Sequence, residues 1–114
     1  MAGLSLNGGY SMEALINYMD NIEQYVNKTT ELFYQNNEQQ ALECMPVLLD
    51  EILKMAGALE NMENVSEEDK QELVGILAEA LKAMEAKDYV LLADILQYDM
   101  IDKINKTRDM LAIN

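Results

Sequence analysis

Residues 86–101 read AKDYVLLADILQYDMI, and the reading of that stretch decides the fold. Leu92, Leu96 and Met100 recur at every fourth position, and Ile104 and Leu111 extend the line. Leu91, Ile95, Tyr98 and Ile101 form a second line beside it. Steps of three and four match the roughly 3.6-residue turn of an α-helix, whereas a strand alternates at every second residue. The spacing predicts a helix over 89–111, capped by Asp88, whose carboxylate can accept from the first unpaired backbone amides. Its first half is apolar over much of its circumference. Such a helix sits centrally among others or faces another chain. Its continuation, DKINKTRDMLAIN (residues 102–114), is more polar.

Working outward, Ser66 precedes Glu67, Glu68 and Asp69. A serine N-cap followed by acids in the first turn suits the positive end of the helix dipole. Leu73, Ile76, Leu77, Ala80 and Met84 then form a stripe, predicting a helix over 67–86. Gly75 interrupts it at a cost of about 1 kcal/mol against alanine. A close helix crossing would account for that glycine. The link around Ala86 and Lys87 is short, and short links make antiparallel neighbours.

Further upstream, Leu42, Met45, Leu49, Ile52, Ala56 and Leu59 predict a helix over 38–62, with Leu48, Met55 and Met62 widening its face. Asn37 can cap it, with Gln40 in the capping-box position. The only proline, Pro46, falls inside this pattern. It removes one backbone donor and crowds the carbonyl of Leu42, so a kink is expected there. A break at Met45 is the alternative, because a residue before proline avoids helical geometry. Leu15, Met19, Ile22, Val26 and Phe33 predict a first helix over 12–34, capped by Ser11 and flanked by Tyr18, Tyr25 and Leu32. Residues 1–10 carry glycines without periodicity and read as a flexible N-terminal arm. No strand pattern occurs. The expectation is an all-α, antiparallel up-down-up-down four-helix bundle, kinked at Pro46, in a single domain over 11–114.

Composition narrows the function. With 21 acidic against 8 basic residues, the chain carries a net charge of −13. No basic stripe exists, so phosphate backbones and anionic membranes would be repelled, and neither nucleic acid nor membrane is an expected partner. Histidine is absent. That removes a phosphorylatable histidine, the Glu-x-x-His iron sites of helical bundles, and Ser-His or Cys-His nucleophile pairs. Cys44 is the only cysteine. No intrachain disulfide can form, and no neighbouring cation lowers its pKa. No basic apolar leader and no run long enough for a membrane span occur, which makes the cytoplasm the expected location. No glycine-rich phosphate loop precedes a helix.

What is left is an interaction surface. Nine methionines make the apolar stripes adaptable, and Met-lined helical grooves accept amphipathic helices. Tyr18 and Tyr25 share a helix face. Asp94 stands among apolar neighbours, where a carboxylate needs a partner. Tyr18, Tyr25, Leu91, Asp94, Ile95, Tyr98 and Ile101 are the candidate surface. No catalytic residue, metal or cofactor is expected. The function expected is a non-enzymatic protein-interaction module, an adaptor, chaperone or regulator, binding a partner protein or itself as a homodimer. One alternative is a divalent-metal site or enzyme built from carboxylates. The other is a carrier of small apolar ligands.

Two segments carry a resemblance. ALECMPVLLDEIL (residues 41–53) and AKDYVLLADILQYDMI (residues 86–101) resemble small helical proteins of Gram-positive bacteria that have no assigned function. That resemblance implies a bacterial, cytoplasmic protein and supplies no catalytic residues. A looser similarity, of fold alone, is to acidic helical chaperones of flagellar and secretion systems.

Overall fold

The computed structural model describes residues 12–113. The Ser11 cap and the arm over 1–10 lie outside the described residues. Every regular element among those residues is helical: α1 (Met12–Tyr34), α2 (Glu38–Glu60), α3 (Glu67–Glu85), α4 (Tyr89–Asp94), a π-helical segment (Ile95–Met100) and α5 (Ile101–Ile113). The last three run on without interruption, so the chain makes four rods. None of the described helices is long and apolar enough to cross a membrane.

Two of the connections share one construction. After α1, Asn36 adopts a left-handed backbone with φ of 63°. The amide of Asn36 donates to the Phe33 carbonyl at 3.0 Å and that of Asn37 to the Leu32 carbonyl at 2.8 Å. After α3, Lys87 takes a φ of 58°, and the Lys87 and Asp88 amides donate to the carbonyls of Met84 and Ala83. This paired bonding satisfies the orphan carbonyls at a helix end and needs one left-handed residue. Each turn then hands over at once to the next helix. Asp88 Oδ1 accepts from the Leu91 amide at 3.1 Å, as the sequence predicts. Asn37 stands at the corresponding place but makes no side-chain cap bond, so the capping box read from Asn37 and Gln40 does not form. Ser66 does cap α3, accepting from the Asp69 amide at 3.1 Å.

Side chains from all four rods build one core. From α1 it takes Leu15, Met19, Ile22, Val26 and Phe33, the whole predicted stripe. On α2 the buried line is Ala41, Met45, Leu48, Ile52, Met55, Leu59 and, just past its end, Met62. Those residues alternate steps of four and three, whereas Leu42, Leu49 and Ala56 lie to one side and are only partly buried. The centre of the α2 stripe is therefore displaced from the sequence reading, because long apolar runs leave the phase of a helix open. α2 passes through Pro46 without ending. Nothing lies within 4 Å of a Cβ added at Gly75, so no close helix crossing explains that glycine. Each fully buried Leu, Ile or Met contributes roughly 1.5–3 kcal/mol. Exposed pairs such as Lys54–Asp50 add roughly 0.5 kcal/mol or less, so the core decides stability.

The π-helical segment departs from the expected continuous α-helix. The Ile101 amide donates back five residues to the Leu96 carbonyl. Repeated steps of four drift by about 40° each around an α-helix. Across Leu92, Leu96, Met100 and Ile104 that drift would carry the stripe out of the core. A π turn holds more residues than an α turn, which returns the line to one side, and all four of these residues are buried.

Polar ties join the fourth rod to α1 and α3. The Arg108 guanidinium bonds to Asp20 and, at 2.6 Å, to Glu23. Its bond to Glu23 holds its pKa above the ordinary arginine value, outweighing desolvation. Lys103 is only 5 % exposed. Its ammonium lies 2.6 Å from carboxylate oxygens of both Asp69 and Glu72.

Candidate functional site

The first turns of the fourth rod pack on the last turns of α1. The rings of Phe33 and Tyr89 stack with centroids 5.5 Å apart and planes at 16°. The Thr30 hydroxyl donates to Gln97 Oε1 at 2.7 Å. One turn further along α1, the Tyr34 hydroxyl donates to Asp94 Oδ1 at 2.6 Å. These contacts hold α4 and the start of the π segment against the end of α1. Leu91 on α4, 46 % exposed, and Tyr98 on the π segment, 66 % exposed, stay open to solvent beside that contact. They are seven residues apart, with Asp94 between them on the same line.

An open groove of about 430 Å³ runs between α1 and the π segment, lined by Thr30, Glu31, Tyr34, Gln97 and Tyr98 among others. Desolvation, the bond to Asp94 and the negative charge of Asp94 push the Tyr34 phenol up to about 12. The phenol therefore stays neutral and donating at ordinary pH. Tyr34 and Tyr98 line the same groove.

A second groove of about 470 Å³ lies between α3 and the rod that follows, with Gly75 and Ile76 beside Asp102, Lys103 and Lys106. Its cations are already engaged, Lys103 by Asp69 and Glu72 and Lys106 by Asp102. Val74 and Leu81 form a further exposed pair seven residues apart on α3. Among the described residues, no group of three or more acidic or cysteine side chains could hold a metal ion.

The structure divides the predicted surface. Leu91, Asp94 and Tyr98 come together. Ile95 is buried, standing three residues after the core residue Leu92 and so on its side of the rod. Ile101, Tyr18 and Tyr25 are partly buried and pack on the core, so neither α1 tyrosine offers an open face. Tyr34, Thr30 and Gln97 were not among the predicted residues. Tyr34 follows the buried stripe of α1 at its very end, and only the approach of α4 turns it into a site residue. Asp94 is half-buried and answered by a phenol rather than a lysine.

A family profile described as a domain of unknown function, DUF8042, matches residues 10–110. No curated protein and no solved structure matches the chain.

Proposed function

This chain belongs to the DUF8042 family, and we propose that it is a non-enzymatic protein-interaction module that binds a partner protein, or a second copy of itself, through the exposed stretch of the fourth rod that carries Leu91 and Tyr98. The observation that carries this reading is the exposure of Leu91 and Tyr98 on a stretch of the fourth rod that Thr30, Tyr34 and the Phe33–Tyr89 stack hold against α1. Large apolar and aromatic side chains held rigidly in water lose little entropy on docking, and this is how interface anchors behave. The π geometry adds to it, since π turns concentrate at functional sites. On the same reading the protein works in the cytoplasm of a Gram-positive bacterium, and its negative charge disfavours nucleic acid and membrane as partners.

The scaffold proposed for this module is an antiparallel up-down-up-down four-helix bundle with α2 kinked at Pro46. The cross-links favour it. Tyr34 at the end of α1 meets Asp94 near the start of the fourth rod, while Arg108 near the rod's end meets Asp20 and Glu23 in the first half of α1. The kink follows from the missing donor and ring clash at Pro46.

The test compares the wild-type chain with the double variant Leu91→Asp, Tyr98→Asp. Both residues are exposed, so the variant keeps its fold. Light scattering and affinity capture from the native cell should give an assembly or partner that the variant loses. A strictly monomeric chain whose captured proteins are identical for both forms would refute the reading.

A further inference from the structure

We propose that the groove between α1 and the π segment receives a basic side chain of a different protein, an arginine or lysine stacked against Tyr34 and Tyr98, with its charge answered by Asp94 and Glu31. This rests on the interaction reading above and specifies the chemistry of its partner.

Several cations of the chain are held by its own acids away from this groove. Asp20 and Glu23 hold Arg108, Asp69 and Glu72 hold Lys103, and Asp102 holds Lys106. The groove at Tyr34 differs. Among the described residues that line it, none is a lysine or arginine. Glu31 accepts only a weak amide bond, from Gln35 at 3.2 Å. Asp94 accepts from the neutral Tyr34 hydroxyl. An ionised carboxylate has about four acceptor positions, so a second, charged donor fits beside the phenol. Two tyrosine faces next to unneutralised carboxylates attract a cation through the ring quadrupole and the charge together. Arginine suits this geometry best, because its planar head stacks and donates at the same time.

A second copy of the chain is the poorer source of an arginine. Its one arginine is Arg108, which Asp20 and Glu23 already engage. A net charge of −13 also repels a like-charged copy and draws in a basic one.

The experiment is a titration of the full ¹⁵N-labelled chain followed by amide chemical shifts. One probe is N-acetyl-arginine amide. The other is N-acetyl-citrulline amide, which has nearly the same shape without the charge. Saturable shifts at Tyr34, Gln97 and Tyr98 with the arginine probe, and none with citrulline, are expected. Tyr98→Ala should weaken the arginine probe roughly tenfold, and Asp94→Asn should weaken it in the same direction, with circular dichroism unchanged in both. Equal binding of citrulline, or arginine shifts scattered over α3 and indifferent to Tyr98→Ala, would overturn the proposal. The interaction reading survives that outcome if a captured partner still depends on Leu91 and Tyr98. It falls alone if the arginine probe binds as expected while no partner does.

Discussion

Lys103 Nζ stands 2.6 Å from Asp69 Oδ1, and this pair ties the first turn of α5 to the first turn of α3. Asp69 also receives the Ser66 hydroxyl at 2.8 Å. The Lys103 bond, with the Ser66 bond behind it, holds the Asp69 carboxyl below its ordinary value of 3.8. Burial works against the Lys103 charge, but its bonds to Asp69 and Glu72 outweigh it and raise the amine above 10.5. The depressed carboxyl contributes stability that is present above 3.8 and fades as the pH falls through its lower folded value. The raised amine contributes stability present below 10.5 and lost as the pH rises through its higher folded value. Lys103→Met should cost about 1–3 kcal/mol at neutral pH and flatten the acid limb. Urea unfolding of both chains between about pH 2.5 and 7, a span that brackets the ordinary carboxylate range, checks this. Parallel acid limbs would refute it.

Lys87 holds a left-handed backbone at φ 58°, in a turn that glycine fills without strain. Lys87→Gly should stabilise the fold by up to about 1 kcal/mol, since relief of the Cβ clash exceeds the added chain entropy. Asn36→Gly should change little, because asparagine already tolerates this region. Equilibrium unfolding in urea measures both.

The two lines of the fourth rod should separate under alanine substitution. Leu96 is fully buried and Leu91 is about half exposed. Leu96→Ala should lose about 2–5 kcal/mol, and Leu91→Ala about 0.5 kcal/mol or less. Comparable losses at both positions would mean that Leu91, too, is covered.

Gly75 can take a methyl group without touching a neighbour. Gly75→Ala should therefore raise stability by about 1 kcal/mol through helix propensity alone. A destabilised variant in thermal unfolding would show that something else approaches α3 at that point.

Helix number and limits were legible in the residues. Ser66 and Asp88 announce two starts, and the polar stretch around Asn36 marks a stop. The α1 stripe was readable because its apolar residues keep to one side. On α2 the excess of leucine and methionine spreads over a wide arc, so the buried line through Leu48 and Met55 could not be told from its neighbour through Leu42 and Leu49. The π turn left a trace, the unbroken steps of four from Leu92 to Ile104, but a step pattern names a drift without saying whether the backbone corrects it. Of the candidate surface, Leu91, Asp94 and Tyr98 were legible as a line on one rod. Tyr34, Thr30 and Gln97 were not, since nothing in a linear pattern joins residues sixty or more positions apart.

By itself the sequence determined that this chain is helical, that it has no histidine chemistry, and that its acids outnumber its cations. Those properties follow from local spacing and from which atoms are present. Tertiary structure decided which flank of each rod is hidden, which acids find a cation of their own, and that Tyr34 meets Asp94. Those outcomes depend on how the rods rotate against one another, and that rotation is set by the packing of the whole core at once.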